Sequence, residues 1–379
     1  MIARKLLSRN GCAVRTEPTT AAAVLLCLLL AGCASGTGTD VDAGESNTAG
    51  ASWNRPDLSG TYDTATITPL QRPEKYGDKL VLSAAEAKAI DAAEAARRAE
   101  ANADSDPNRQ APPEGGDGNE RLGAGSVGGY NLFWVDPGEE TTAVDGEYRT
   151  SVITSPANGR IPDMTPGGLK RLLARRALYR PNTGTAWWLD VDDIPHGPYD
   201  GPETLALSER CILGFGSTAG PPMLSVLYNN HKRIVQADDH VLIQVEMIHE
   251  ARIVRMNAAH RPATFRTWLG DSVGRWEGDT LVVDTTNFTD RPALYGADQN
   301  LHIVERFSRV DDDTLLYQFT VADPTIWQEP WSGEYTWKAT DEKVYEYACH
   351  EGNYSMENVL KGARLLEQEA MGAKVVGSE

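Results

Sequence analysis

The sequence predicts a mainly β protein, an antiparallel barrel or sandwich meander, with a helical, loop-rich N-terminal part and a closing C-terminal helix. Three observations predict it. From about residue 224, β-branched and aromatic runs recur at short intervals between turn residues. Upstream, two helix signals stand among Pro- and Gly-rich stretches. The chain shows neither a strand–helix–strand rhythm nor an internal repeat of 20–50 residues.

In chain order, Trp53 to Thr68 reads as the entry to the body, with a short strand after Pro56. Ser83 and Glu86 form an S-x-x-E capping box that opens a helix. Its run to about Ala103 is rich in Ala, Glu, Lys and Arg and poor in large apolar residues, which predicts a surface helix. Residues 104–129 are rich in Pro and Gly and read as a loop. A second helix is predicted over Pro166 to Leu178, with Pro in its first turn and Leu169, Leu172 and Leu173 on one side. The predicted strands are LSVLYNNHKRIVQ, HVLIQVEMI, ARIVRM, TFRTWLG, TLVVDTTNF, LHIVERFSRV, TLLYQFTVA, EYTWKAT and KVYEYAC. Trp276 to Thr280 predicts a tight hairpin turn, and Asp311 to Asp313 the next turn. Ser355 to Glu369 reads as the closing helix, with Met356, Val359, Leu360 and Leu365 as a partial apolar stripe. The body thus divides into a helix- and loop-rich region, 53–206, and a β-rich domain, 207–379.

The N-terminus carries an address. Arg4, Lys5, Arg9 and Arg15 flank an apolar run from Ala21 to Leu30, which is shorter than the roughly 20 residues a membrane span needs. Leu30-Ala31-Gly32-Cys33 resembles the lipobox of bacterial lipoproteins. It predicts a signal peptide over 1–32, acyl chains such as palmitate on Cys33, and a flexible tether over 33–52 of small, polar and acidic residues. Ala34 and Ser35, with no Asp after the cysteine, favour the outer membrane. Residues 1–32 hold four basic residues and one acid, so their removal takes the formal charge from −18 to −21. Such a surface argues against nucleic acid as a partner. Cleavage also leaves three cysteines. With Cys33 lipidated, Cys211 and Cys349 in an oxidising compartment predict a disulfide, the alternative being two buried thiols.

The stretches WLGDSVGRWEGDTLVVDTTNF (268–288) and YEYACHEGNY (345–354), together with YNLFWVDPG, RTSVITSPANGRIP, LSERCILGF, GPPMLSVLYNN, EMIHEARIVRMNAAH and LHIVERFSRVDDDTLLYQFTVADPTIWQEPW, carry a resemblance. On them the chain resembles a large family of uncharacterised exported bacterial proteins and lipoproteins. The resemblance covers most of the mature chain, departs over 180–206, and implies export without implying a reaction or a catalytic set.

Several residues are candidates for chemistry. In Cys349-His350-Glu351-Gly352, an imidazole beside a carboxylate suits acid–base work, provided the segment is a turn, because neighbours on a strand point apart. His249 and Asp279 join His350 and Glu351 as catalytic candidates; satisfying a strand end or turn accounts equally well for each. Glu246-x-x-His249-Glu250 resembles a zinc-protease pattern in another order, but its flanks read as strand. A divalent metal stays open, with His249 and His260 as candidate ligands, assisted by His302 or His350; no other cofactor is expected. Gly270-Asp271-Ser272-Val273-Gly274 matches the serine-hydrolase expression but lacks the helix a nucleophile elbow needs. Asp284 and Asn287 could line the same region as Asp279, and Glu305 with Arg306 reads as an ion pair or rim charges. Trp268, Trp276, Trp327, Trp331 and Trp337, with Tyr317, Tyr345 and Tyr347, read mostly as core, although such a set also lines ligand sites. The favoured expectation is a lipid-anchored envelope protein that binds a small apolar or aromatic molecule. The alternatives are a hydrolase, lyase or isomerase using His and carboxylate groups, and a structural envelope protein.

Overall fold

The structure is a computed structural model that describes residues 55–102, 108, 135–178, 180, 183–191, 197–214, 216–218, 220–292, 294 and 296–376. The expected signal peptide over 1–32, Cys33, the expected tether over 33–52 and, apart from Asn108, the expected loop over 104–129 lie outside the described residues. Among those described, no helix is long and apolar enough to cross a membrane.

Nine strands close into a barrel. They are β1 (Gly60–Asp63), β6 (His231–Gln236), β7 (His240–Val245), β8 (Ala251–Met256), β9 (Asp271–Glu277), β10 (Thr280–Thr286), β11 (His302–Asp311), β12 (Thr314–Ala322) and β13 (Trp331–Ala339). Each pairs with the next in that order, and β13 returns to β1 through Tyr62 opposite Ala339. β5 (Ile153–Ser155) adds to β13 beside Ser332 and Gly333. Between them in sequence, β2 (Val81–Leu82), β4 (Glu147–Arg149) and β3 (Ala143–Val144) form a separate small sheet. The barrel is mixed: β8 and β9 run parallel, with Val254 opposite Ser272. A parallel neighbour needs a connection that travels back along the strands. Residues 257–270 make that crossover, so TFRTWLG is a loop and not the expected strand. Arg266 fixes it by donating from Nη1 to the Phe288 and Gln299 carbonyls, each at 2.8 Å.

Period-two alternation fills the interior. Leu281, Val283, Ile303, Phe307, Leu315, Tyr317, Phe319, Trp331, Tyr335 and Trp337 are all buried. Each large side chain removed from water in this way contributes about 1.5–3 kcal/mol. Glu305 shares this face. It is fully buried and paired with Arg252, whose Nη2 lies 2.9 Å from its Oε1, while the Tyr317 hydroxyl donates to the same oxygen at 2.8 Å. Arg306 points outward to Glu277 at 2.8 Å, so Glu305 and Arg306 are not a pair. Of the expected aromatic core, Tyr345 is exposed, and Trp268 and Trp276 are half-buried.

Among the described residues, three α-helices lie outside the barrel: α1 (Ala84–Ala101), α2 (Pro166–Arg176) and α3 (Tyr354–Val376). The Ser83 side chain accepts from Glu86 N at 3.3 Å, and Glu86 Oε2 accepts from Ser83 N at 2.8 Å, which completes the capping box. α2 stops two residues short of Leu178, and α3 runs beyond Glu369. The β9–β10 turn falls at Gly278 and Asp279, with Gly278 at φ +61, and the turn at Asp311 to Asp313 joins β11 to β12. KVYEYAC is not a strand. β12 on one side and β5 and β1 on the other occupy both edges of β13, so a closed barrel has no edge for it to join.

Candidate functional site

A cavity of about 790 Å³ lies against β13. That is within the roughly 300–1,000 Å³ of small-molecule sites. Its walls come from residues 66–70 after β1, from Val135 and Pro137, from residues 224–227 and from α1, with Val152 and Tyr335 contributed by the barrel side. Apolar side chains dominate, among them Leu70, Val135, Leu224, Val226 and Leu227. Asn230, almost fully buried, ties these walls together. Its Nδ2 donates to the Asp136 and Val226 carbonyls, both at 2.8 Å, and its Oδ1 accepts from Val226 N at 2.9 Å. Asp136 N donates to the Leu227 carbonyl at 2.7 Å, and the Tyr335 hydroxyl to the Met223 carbonyl at 2.7 Å. A wall fixed in this way need not be ordered when a ligand arrives. Burial pushes the Tyr335 hydroxyl well up, so it stays a neutral donor. At the α1 side, Glu94 and Arg97 form a two-pronged ion pair. Hydrogen bonding to Arg97 holds the Glu94 carboxyl down, and Glu94 in turn raises Arg97.

The segment after β13 is an extended strap. Tyr345 N donates to Glu246 Oε1 at 3.0 Å, and His249 Nδ1 to the Tyr347 carbonyl at 3.2 Å. The Cys211–Cys349 disulfide is formed, with its Cα atoms 5.8 Å apart. Glu246 to His249 is a kinked turn and not the expected strand, with Ile248 at φ +61 and His249 at φ +44. Such angles are strained for a β-branched residue. His231, which sequence reasoning passed over, lies 3.4 Å from Glu246 and 3.5 Å from Glu342. Its bond to Glu246 raises its pKa. A second cavity, of about 620 Å³, is lined by the disulfide, Tyr347, Asn353 and the start of α3. His350 and Glu351 do occupy a turn, but both are exposed and neither lines that cavity. Asp279 sits at the exposed β9–β10 turn, away from the strap residues in sequence and pairing.

The crossover loop builds a polar cluster with the neighbouring strands. His260 Nδ1 lies 3.1 Å from Asp271 Oδ2, and its Nε2 lies 2.9 Å from Asp284 Oδ1. Asp271 is buried and also accepts from Arg255 Nη2 at 2.9 Å and from Arg261 N at 2.8 Å. His302 Nε2 lies 3.1 Å from both Asp284 oxygens. His302 chiefly, then His260, holds Asp284 down against burial, and Asp284 raises His302. The structure thus joins His260, His302 and Asp284, and gives His249 a different partner. Asn287 supports the loop by donating to the Arg261 carbonyl at 2.9 Å. Among the described residues, no group of three or more His, Cys, Asp or Glu side chains is arranged to hold a metal ion. Ser272 is buried on β9 and bonded to Thr285 Oγ1 at 2.9 Å, so it is packed as a strand residue and not presented on an elbow. No family model matches the chain, and no curated protein matches it.

Proposed function

We propose that the protein is a lipid-anchored envelope protein that binds a small apolar or aromatic molecule in the cavity beside β13. One observation carries the binding reading: an apolar space of about 790 Å³ whose walls are already hydrogen-bonded to each other and to the barrel. The anchoring part rests on the sequence, through the lipobox at Cys33. The experiment is a titration of the mature chain with uncharged naphthalene derivatives, followed by calorimetry. Binding is expected, and Leu224→Trp, which fills the space, should weaken it at least tenfold. If Leu224→Trp binds as well as the parent, the cavity is not the site. Replacing Cys33 with Ser should release the body to the soluble fraction; acylated protein persisting in the membrane fraction would refute the anchor.

A second reading, acid–base catalysis, is favoured by the His260–Asp284–His302 cluster, in which a carboxylate orients the more exposed His302. The same titration separates the two: a binder returns its ligand unchanged, whereas an enzyme consumes it.

A further inference from the structure

α2 is amphipathic in the inverse sense. A helix on the surface of a globular protein turns its leucines to the core and its cations to water. In α2, Arg171 and Arg175 are the residues that dock on the barrel side. Arg171 Nη2 donates to the Thr325 carbonyl at 2.6 Å, and its Nε lies 3.1 Å from Asp298 Oδ2. Arg175 donates from Nη1 to the Ala297 carbonyl at 3.2 Å and from Nη2 to the Asp290 carbonyl. Gly168 brings the backbone so close to Ile326 that a Cβ would lie 2.6 Å from its carbonyl oxygen. Leu169 and Leu173, one turn apart, are left 48% and 55% exposed. Ala174 and Ala177 are exposed beside them, and so are Lys170 and Arg176. At 3.6 residues per turn, Lys170 falls on one flank of the leucine stripe and Arg176 on the other. Residues 166–180 hold five cations, Lys170, Arg171, Arg175, Arg176 and Arg180, and no Asp or Glu, in a chain of net charge −18. Past the helix, Arg180 stacks on the Trp187 ring at 4.1 Å.

We propose that the outward face of α2 lies on a lipid bilayer surface that carries anionic headgroups. Leu169 and Leu173 enter the boundary with the acyl chains, while Lys170 and Arg176 meet the headgroup phosphates. A cationic helix with an apolar stripe facing water is the pattern of helices that lie in a membrane interface. Nucleic acid would use the cations and leave the leucines in water, so the stripe favours lipid. The negative charge on the rest of the chain resists the same surface. The contact is therefore weak by itself at the salt of a cell. A lipid on Cys33 would raise its effective concentration, and two weak membrane signals hold where one does not.

The test leaves the anchor out, so that its failure and that of the anchor are separate. The mature chain with Cys33→Ser is sedimented with vesicles of phosphatidylcholine alone, or of phosphatidylcholine and phosphatidylglycerol in equal parts. In low salt it should partition to the anionic vesicles roughly tenfold or more above the neutral ones, and high salt should abolish the difference. Replacing Leu169 and Leu173 together with Gln, which keeps helix formers at both exposed positions, should weaken that partition roughly tenfold or more. Lys170→Gln should weaken it about fivefold, the worth of one cation beside an anionic surface. Leu365→Gln, which removes an equally exposed leucine from α3, should change nothing. Each variant should melt at the parent's temperature, because none of these side chains is buried. No partition of the parent in low salt, equal partition to the two vesicles, or equal losses in Leu365→Gln and the α2 pair overturns the proposal. A parent that dimerises through Leu169 and Leu173 and ignores vesicles also overturns it, and gives the face to a second copy of the chain.

Discussion

His260 stands between Asp271 and Asp284, 11 and 24 residues along the chain, so no local motif announces the cluster. Sequence reasoning names His260 only as a candidate metal ligand, His302 only as its helper, and Asp271 only within the serine-hydrolase expression. The two histidines meet because the β8–β9 crossover lays the loop over neighbouring strands, and that parallel step is not written in the strand pattern. Glu305 shows the same limit from the other side. A charged residue in a strand reads as rim, and only the fold supplies Arg252 as its buried partner. Removing one member of such a pair costs about 3–5 kcal/mol, because the other is left charged in the interior. The cluster has a pH signature. His302 has its pKa raised by Asp284, so its contribution is whole below its unfolded value near 6.5 and is lost as pH rises through the higher folded value. Asp284 has its pKa lowered, so its contribution is present above about pH 4 and is lost as pH falls through the lower folded value. Asp284→Asn should therefore lower the melting temperature more at pH 5.5 than at pH 8.5. His231, paired with Glu246, titrates in the same range but is common to both proteins and cancels in the comparison. Equal lowering at the two pH values would show that the histidine is not coupled to Asp284.

Among the elements, those with local signals were legible and those defined by their neighbours were not. The Ser83 cap, Pro166 at the start of α2, the Gly278 turn and the Asp311 turn each carry their own chemistry and fall where the sequence puts them. TFRTWLG and KVYEYAC have strand composition but the closed barrel has no edge for them, and TFRTWLG makes only a single bridge, Thr267 to Phe288, so tertiary context overrides propensity. The strap that KVYEYAC becomes is held by side chains instead: Glu246, His249 and, covalently, Cys211. The disulfide was readable from cysteine count and compartment, without geometry. It closes a span of 138 residues. Chain entropy for a loop of this length gives up to about 5 kcal/mol, with real bridges often delivering less. Replacing both Cys211 and Cys349 with Ala should lower the urea midpoint by a loss of about 2–5 kcal/mol. It should also make the 340–353 strap the first site of tryptic cleavage, at Lys343. A midpoint within error of the parent, with Lys343 still protected, would mean that the hydrogen bonds to Glu246 and His249 hold the strap unaided.

At the scale of the molecule, the barrel depends on β1. Residues 60–63 lie far upstream of the other eight strands, yet they bridge β6 and β13, with Lys232 opposite Tyr62 and Lys338 opposite Asp63. Four residues suffice because each side needs only a short ladder, and because Tyr62 adds a fully buried side chain and a hydroxyl that donates to the Leu58 carbonyl at 2.9 Å. β5, also upstream, covers β13 at Ser332 and Gly333, where a side chain on Gly333 would collide with the Val152 carbonyl at 2.8 Å. A chain beginning at residue 207 contains every long strand but lacks both closures. Its β6 and β13 would present unpaired backbone edges, the condition under which sheets join to one another. Lys232, buried without a hydrogen-bond partner for its amine and held down to about 8 by that burial, would be opened to water at the same place. The 207–379 fragment is thus expected to aggregate or to remain without fixed near-ultraviolet dichroism, whereas 55–379 folds as a monomer with a cooperative transition. A 207–379 fragment that is monomeric and unfolds cooperatively would show that eight strands close without β1, and that residues 55–206 are an accessory to the barrel and not part of its wall.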